Sequence, residues 1–324
     1  MTEETNKTTL HVPAHDEQGP DSSHAAEPAW DARLADYLVV LLGCGKMGSA
    51  LARRWVRGRS VDPRRLVCID AVEEKAQALA DELNAREAIP DVELDDDGQP
   101  TRRMRLYVVA VKPDDVSAVL EPRRDAEEEL TDEDTVISIA AGVEVATLRR
   151  HAGPFAGIAR AMPNTPALVG AGMTGVMGDG TVDMEAITAL FEAVGKVVRI
   201  HKEEHFHGVT AISGSGPAYI FTAIEALADG GVYAGLDRKT AVELATGVIE
   251  GAAKLVEKRS YEHTADLKDE VASPGGTTIA ALVALEEHGF RHALIRAVDA
   301  AAGRSAELGE EMAKGRGERD GPIG

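Results

Sequence analysis

The stretch best suited to chemistry spans residues 273–278 and reads Ser-Pro-Gly-Gly-Thr-Thr, between a polar helical segment and an apolar one. Proline and two glycines allow a tight corner where another molecule can approach the backbone closely. The helix that follows presents unpaired N–H groups and the positive end of its dipole, and the hydroxyls of Ser273, Thr277 and Thr278 surround these donors. Such a corner can hold a small carboxylate without an arginine or a lysine. The alternative is a plain helix–turn–helix corner in which a threonine is the N-cap.

A second motif, Gly-Cys-Gly-Lys-Met-Gly at residues 43–48, matches the pattern G-x-G-x-x-G. It follows an apolar run at residues 37–42, typical of a buried parallel strand, and it precedes a helical stretch at residues 49–56. In this context the glycines let the backbone approach a pyrophosphate that lies on the helix N-terminus. The motif therefore indicates a dinucleotide-binding site rather than a plain tight turn.

Asp70 ends the second predicted strand, at residues 66–69, about 20 residues beyond the last glycine of the motif. An acid at this position accepts hydrogen bonds from the adenosine ribose hydroxyls and repels a 2′-phosphate, which favours NADH over NADPH. Asp70 is also a candidate N-cap for the helix predicted at residues 73–84, with Glu73 completing a pair that resembles a capping box. Both roles are compatible with each other.

Further candidate residues lie at the carboxyl ends of later strands, where doubly wound sheets bind ligands. Lys112 follows a strand predicted at 106–111 and either meets a cofactor phosphate or ribose or is a solvated strand end. Ala-Ala-Gly at 140–142 offers small residues against which a nicotinamide ring can lie. Met-Pro-Asn-Thr-Pro at 162–166 predicts a rigid loop with two polar side chains facing the same region, or a loop shaped by proline alone.

The order of the elements predicts an α/β fold. Apolar strands and helices alternate with short connections as far as about residue 202, which is typical of a doubly wound parallel sheet, and shorter strands near Ile158, Gly175 and Val197 extend it. Residues 90–105 are first acidic and then basic and predict a surface excursion with a turn at 97–98. Beyond residue 202 the stretches at 217–229, 238–258, 278–287 and 293–308 are helical, and several are apolar on more than one face. Such helices must be buried, in their own core or by another subunit, so a homo-oligomer is expected.

Composition excludes several classes of function. The 324 residues carry 35 basic and 55 acidic side chains, a net charge of −20, which argues against nucleic acid and does not favour an anionic membrane surface. No apolar run reaches the ~18 residues of a membrane span, and the start of the chain is unlike a signal peptide. The two cysteines, Cys44 and Cys68, form no metal-type cluster, so no metal is expected and a cytoplasmic location fits. The acidity suits either a salt-rich cytoplasm or an ordinary acidic protein.

Taken in this order, the motifs resemble those of the pyrroline-5-carboxylate reductase family over about residues 38–308. The most specific part is the signature at 267–291, and residues 110–113, 162–166 and 213–219 also match the family. The resemblance implies NAD(P)H-dependent reduction of 1-pyrroline-5-carboxylate to L-proline, the final step of proline biosynthesis. A related imine or 2-oxoacid reductase, and a non-catalytic dinucleotide-binding scaffold, are the alternatives.

The chain is expected to have four parts, of which the resemblance implies the two domains and composition predicts the extension and the tail. Residues 1–35 are predicted to be a disordered acidic extension, 36–202 a Rossmann-type dinucleotide-binding domain, 203–312 an all-α dimerisation and substrate domain, and 313–324 a flexible tail. The helical domains of two copies would intertwine in a homodimer, which in this family often assembles further, and the site would be shared between subunits.

Carried over residue by residue, the resemblance implies two sets of site residues. The substrate carboxylate would be held by Val271, Ser273, Gly276, Thr277 and Thr278. The cofactor would be lined by Leu42, Gly43, Cys44, Gly45, Lys46, Met47, Ala110, Val111, Lys112, Pro113, Ile139, Ala140 and Ala141. Asp70 joins these cofactor residues because of its position after the second strand and not because of the resemblance. Thr278 is the candidate catalytic residue, as the hydrogen-bond partner of the ring nitrogen that relays a proton from water, unless the substrate binds already protonated. Glu270 either faces the cofactor ribose or lies on a solvated helix face.

Three departures from the family pattern matter. Many relatives carry Ser, Asn or Arg after the second strand, which suits NADPH, whereas this chain has Asp70. Residues 90–105 do not follow the family pattern, so the adenine-side residue there is unassigned. The extension before Tyr37 has no counterpart in the family.

Overall fold

The computed structural model describes residues 29–89, 93–94, 100–101, 104–124 and 130–313. The strands are β1 (Tyr37–Leu42), β2 (Leu66–Ile69), β3 (Glu93–Leu94), β4 (Pro100–Thr101), β5 (Met104–Val109), β6 (Asp134–Ser138), β7 (Gly157–Met162), β8 (Gly172–Gly178) and β9 (Gly195–Arg199). The helices are α1 (Lys46–Arg57), α2 (Glu73–Leu83), α3 (Val116–Arg124), α4 (Val145–Ala152), α5 (Met184–Glu192), α6 (Phe206–Val209), α7 (Gly216–Tyr233), α8 (Arg238–Lys258), α9 (Thr264–Val271), α10 (Thr277–Glu287) and α11 (Phe290–Ala313).

Seven strands form the main sheet in the order β2-β1-β5-β6-β7-β8-β9, while β3 and β4 pair with each other. The chain passes from β1 outward to β2 and then returns to the other side of β1 to form β5, so the topological switch point lies at the carboxyl ends of β1 and β5. The predicted α/β architecture with a helical second half is confirmed.

One neighbour relation differs from the predicted parallel sheet. β7 and β8 are antiparallel, with Ala161 opposite Val176, whereas β9 is parallel to β8. Residues 163–171 are too few for the crossover of about a dozen residues that parallel neighbours need, so the chain turns back on itself. The sheet is therefore mixed at this edge.

The sheet is covered on both faces because its central strands are apolar throughout. All six residues of β1 are buried, and alternate side chains enter two separate cores. On one face Leu41 packs in the same core as Trp55 of α1 and Leu190 of α5. On the other face Leu42 shares a core with Leu120 of α3. This alternation is the doubly wound arrangement that the sequence predicts.

The second half, from α6 onward, consists of helices that bury few of their own side chains. In the fully described helices α7 and α8, the buried residues are Ala228, Ala241 and Ala245. Large apolar side chains remain exposed instead, for example Phe221 at 63% and Val248 at 64%. A π-helical turn at Thr210–Gly214 connects α6 to α7.

The last residues of the predicted extension, 1–35, are described by the structure from residue 29 onward. Ala32–Leu34 form a 3-10 turn capped by the Asp31 carboxylate, and Leu34 is buried in the core that contains Trp55. Residues 1–28 and 314–324 lie outside the described residues, as does the predicted turn at 97–98. The predicted surface excursion 90–105 overlaps β5, since this strand begins at Met104. Among the residues that the structure describes, no helix is both long and apolar enough to cross a membrane.

Candidate functional site

The glycine-rich loop between β1 and α1 shows why three glycines are needed. Gly43 has φ +106°, and a Cβ there would lie 2.8 Å from the carbonyl oxygen of Ala110. A Cβ on Gly48 would lie 2.0 Å from the carbonyl oxygen of Gly43, so the helix can pack on the strand only without a side chain. A Cβ on Gly45 would point into open space. The middle glycine is therefore the place where another molecule can approach the backbone.

The N-terminus of α1 is available to an anion. Its N-cap is Gly45, which has no side chain to satisfy the first N–H groups of the helix. The loop itself is held by Ser49, whose hydroxyl donates to the carbonyl of Cys44 at 2.8 Å. Uncapped N–H groups and the helix dipole together favour a bound phosphate at this end.

Asp70 holds the glycine-rich loop rather than capping α2. Its carboxylate accepts a hydrogen bond from the backbone N–H of Cys44 at 2.7 Å and another from the N–H of Val72 at 2.9 Å. The N-cap of α2 is Val72, so the interpretation of Asp70 as a helix cap is wrong. The acid instead ties the end of β2 to the loop at the end of β1.

A cavity of about 570 Å³ opens beside Asp70, at the carboxyl end of β2. The carboxylates that line it are those of Asp70, Glu73, Glu74 and Glu87. Gln77 also lines the cavity and donates to Glu87 at 2.6 Å. Among the described residues that line this cavity there is no lysine or arginine. Because its charged side chains are all negative, the cavity would repel an additional phosphate group on a dinucleotide bound to the glycine-rich loop.

The other predicted cofactor residues lie along the same edge of the sheet. The N–H of Ala110 donates to Leu42 at 2.7 Å, and the N–H of Ile139 donates to Val109 at 3.1 Å. These bonds place the carboxyl ends of β1, β5 and β6 side by side, with Lys112 exposed just beyond β5. Ala140 differs, because its side chain is buried in the core that contains Leu42.

The small residues after β6 also make room for the last helix. A Cβ on Gly142 would lie 2.8 Å from the methyl carbon of Met312, near the end of α11. Close packing against α11 is thus a reason for glycine at 142 that does not require a nicotinamide ring.

The loop at 162–166 uses its polar side chain for structure. Asn164 is buried, accepts a hydrogen bond from the N–H of Met173 at 2.9 Å and donates to the carbonyl of Ser213 at 3.1 Å. The hydroxyl of Ser213 donates a hydrogen bond to the carbonyl of Met173 at 2.8 Å. Asn164 therefore joins the sheet to the π-helical turn, whereas Thr165 is exposed.

The corner at 273–278 forms between α9 and α10. Gly275 has φ +70°, and the N–H of Gly276 donates to the carbonyl of Ser273 at 3.0 Å. Gly276 is the N-cap of α10 and Thr277 is its first residue, so the interpretation of a threonine as N-cap is wrong. Because the cap is a glycine, the first N–H groups of α10 and the neighbouring hydroxyls are left for another molecule.

The two sets of predicted site residues lie on different parts of the chain. The cofactor set follows the edge of the sheet, and the corner lies between two helices of the second half, with Val271 67% exposed. In the described part of the chain no hydrogen bond joins the corner to the glycine-rich loop. The Glu270 carboxylate pairs with the guanidinium of Arg259, a contact that the sequence pattern did not indicate.

Cys44 lies in the glycine-rich loop and Cys68 in β2, and both thiols are free and buried in the core that contains Trp55. The hydrogen bond to Cys44, together with burial, raises the pKa of the Cys68 thiol far above its ordinary value. Cys68 is therefore a neutral packing residue at neutral pH.

A glycine-rich loop at the switch point of a doubly wound sheet, next to an uncapped helix N-terminus, defines a dinucleotide-dependent oxidoreductase. Residues 203–308 match the family model described as pyrroline-5-carboxylate reductase dimerisation. Residues 38–142 match the model described as NADP oxidoreductase coenzyme F420-dependent.

The chain matches individual relatives over almost their whole length. The chain is 40% identical over 275 residues to the pyrroline-5-carboxylate reductase of Synechocystis sp., covering 84% of this chain and 98% of that protein. The structure of a pyrroline-5-carboxylate reductase from Coxiella burnetii has a TM-score of 0.73 and 31% identity, covering 84% and 98% of the two chains. The Plasmodium falciparum pyrroline carboxylate reductase with NADP bound has a TM-score of 0.66 and 29% identity, covering 84% and 97%. The chain belongs to the pyrroline-5-carboxylate reductase family.

Proposed function

We propose that the protein reduces 1-pyrroline-5-carboxylate to L-proline with a reduced nicotinamide dinucleotide. The observation that carries this proposal is the presence, on one chain, of an open glycine-rich loop and an intact Ser-Pro-Gly-Gly-Thr-Thr corner whose helix is capped by glycine. The names of its relatives support the same activity. A non-catalytic scaffold would not need the second of these two features.

The cofactor would lie along the edge of the sheet. Gly43 to Met47 with Leu42 would hold the pyrophosphate at the start of α1, where Gly45 leaves open space. The strand ends at 110–113 and 139–141 would lie along the rest of the dinucleotide. When bound, the cofactor supplies the hydride. The Plasmodium relative carries NADP, which supports a dinucleotide of this class.

We further propose a preference for NADH over NADPH. A 2′-phosphate near Asp70 would lie in a cavity whose lining includes four carboxylates, and these negative charges would repel it. The ribose hydroxyls of NADH, by contrast, can donate to the Asp70 carboxylate. The backbone bonds from Cys44 and Val72 hold this carboxylate in place without neutralising it with a basic side chain.

The substrate carboxylate would lie at the start of α10. Backbone N–H groups there, with Ser273, Gly276 and Thr277, can accept an anion without a formal positive charge, and Val271 would cover one side of the ring. The Thr278 hydroxyl would bond the ring nitrogen and pass it a proton from water. Holding both reactants in one orientation supplies much of the acceleration, because little covalent work falls to the protein.

The site would be completed by a second copy of the chain. We propose a dinucleotide-binding domain at 36–202 and a dimerisation and substrate domain at 203–312, with the helices of two copies covering each other in a homodimer. The exposed apolar side chains of α7 and α8 support this arrangement, because a single protomer leaves them in water. A cytoplasmic location is part of the proposal and is supported by the two free thiols, Cys44 and Cys68.

The direct test follows oxidation of NADH in the presence of 1-pyrroline-5-carboxylate and identifies L-proline as the product. We expect turnover by the natural protein and strong loss in Thr278→Val, which keeps the shape of the side chain and removes the hydroxyl. Equal oxidation with a 2-oxoacid, or none with the pyrroline, would contradict the proposal. Full activity of Thr278→Val would contradict the role of its hydroxyl.

A further inference from the structure

The two helices that form the corner have little support within the protomer. In α9, all of which is described, Leu267 is the buried residue, and the fully described α10 buries none. A binding corner must nevertheless hold its donors in one orientation if it is to recognise a planar carboxylate. A polar contact outside the apolar core of the protomer can help to supply this orientation.

Arg259 provides such a contact. It is the C-cap of α8, and its guanidinium donates to both oxygens of Glu270, from Nη1 at 2.7 Å and from Nη2 at 2.6 Å. The Nε of the same side chain donates to Glu262 at 2.7 Å, and Nη2 also contacts Glu262. All three guanidinium nitrogens are thus engaged, and the Arg259 side chain is 29% exposed.

The position of Glu270 gives this pair its significance. Glu270 lies in the last turn of α9, directly before Val271 and three residues before Ser273. A parallel, two-pronged pair fixes the direction of a carboxylate as well as its distance, which a single ammonium cannot do. The pair therefore fixes the direction in which the backbone leaves α9 and enters the corner.

We propose that Arg259 is a positioning residue for substrate binding, which holds the corner in its binding orientation through Glu270 and Glu262. This inference rests on the proposed function of the corner. Because both partners are partly exposed, the pair adds little to the stability of the fold, and its effect appears in substrate affinity.

The protein contains a matched control in its other half. Arg53 of α1 also makes a two-pronged contact, with Glu82 of α2, from Nε at 2.9 Å and from Nη2 at 2.7 Å. This pair is exposed to a similar degree and does not lie next to the corner. Arg53→Lys therefore measures the cost of losing such a pair where no substrate is bound.

The experiment compares Arg259→Lys, Glu270→Gln and Arg53→Lys in the full chain. For Arg259→Lys and Glu270→Gln we expect the KM for 1-pyrroline-5-carboxylate to rise about tenfold, with the KM for NADH and the melting temperature nearly unchanged. Arg53→Lys is expected to leave both KM values unchanged. An unchanged substrate KM in Arg259→Lys, or equal rises in both KM values with a lowered melting temperature, would overturn the positioning role.

Amide hydrogen exchange gives a measurement that does not depend on turnover. Arg259→Lys is expected to accelerate exchange over residues 271–278, and Arg53→Lys is expected to leave it unchanged. If the natural protein did not reduce the pyrroline, the proposed function would fail, and the exchange result would still decide whether Arg259 orders the corner. Unaltered exchange in Arg259→Lys would contradict the inference whatever the activity.

Discussion

The two halves of the molecule differ in how far their apolar side chains are buried. In the sheet half, all six residues of β1 are buried between helices on both faces. In the helical half, the fully described α10 buries none of its eleven residues, and Phe221 of α7 is 63% exposed. The apolar side chains of β1 are thus covered within one chain, whereas those of the helical half remain exposed, and we propose that a second copy covers them.

The two halves are connected by contacts of the π-helical turn and of α11. Asn164 bonds the π-helical turn, and α11 packs against Gly142 through Met312. The ring of His207 contacts the hydroxyl of Ser305 at 3.0 Å, which fixes α11 to α6. These contacts join α11 and the π-helical turn to the sheet, whereas we propose that Arg259 and the partner copy support the α9–α10 corner.

The largest effect is expected when a charge enters the uncovered helical surface. Phe221→Glu should dissociate the dimer, because burying an unpaired carboxylate costs several kcal/mol, and at least about 3 kcal/mol corresponds to more than a 100-fold weaker dimer. Phe155→Glu is the control, since Phe155 is 61% exposed in the sheet half. Sedimentation velocity should show monomers for the first variant and dimers for the second. Dimers in both would remove the distinction between the halves.

The next effect concerns the two glycines of the loop that have opposite surroundings. Gly48→Ala should destabilise the sheet half by about 2 kcal/mol or more, because its Cβ would lie 2.0 Å from a backbone oxygen. Gly45→Ala should keep the melting temperature and weaken NADH binding, because its Cβ points into the open space. Calorimetry and NADH titration separate the two outcomes. Equal stability of both variants would contradict the packing described for the loop.

A smaller change is expected for cofactor choice. Asp70→Asn removes the charge and keeps one acceptor oxygen, so only one of the N–H groups of Cys44 and Val72 retains its bond. The ratio of kcat/KM for NADPH to that for NADH should rise about tenfold, or about 1.4 kcal/mol, because the lost charge no longer repels a 2′-phosphate. Asp81→Asn, on α2 but outside the cavity lining, is the control. A natural protein that prefers NADPH would show that Asp70 serves only to hold the loop.

The smallest effect is a pH dependence within the sheet half. Burial raises the pKa of Asp183, but hydrogen bonds from the N–H groups of Ala186 and Glu185 and from the Tyr37 hydroxyl outweigh it, so the net pKa is lowered. The stabilisation is present above the ordinary value of about 4 and is lost as the pH falls through the lower folded value. Asp183→Asn should lower the melting temperature by about 2 °C at neutral pH, and the difference should shrink below about pH 4. A difference that is constant with pH would exclude the charge as its cause.

Local pattern predicted the sheet half well where the strands are continuous apolar runs. β1 and β2 occupy the predicted residues, because a glycine and an aspartate end these runs. The reversed direction of β8 could not be predicted, since alternation of side chains does not specify which neighbour a strand pairs with. Its cause is the short connection before it, which is visible only once β7 and β8 are known to be neighbours.

In the candidate site, the sequence predicted which residues take part, but it did not predict which of them bond to each other. The glycines and the corner follow from motif and spacing, whereas the bond from Cys44 to Asp70 joins residues 26 positions apart, just beyond the ends of two different strands. The same holds for Arg259 and Glu270, which lie on neighbouring helices rather than on one helix face. Such contacts depend on how helices pack, which periodicity alone does not determine.

The central claim is that the sheet half of one copy and the corner of its partner form one site. It is tested by mixing Gly45→Asp, which blocks the pyrophosphate position, with Thr278→Val, each being nearly inactive alone. After exchange of subunits we predict recovery to about a quarter of the natural activity, because half of the dimers are mixed and each has one intact site. Activity that stays at the level of the separate variants, while mass analysis confirms mixed dimers, would contradict a shared site.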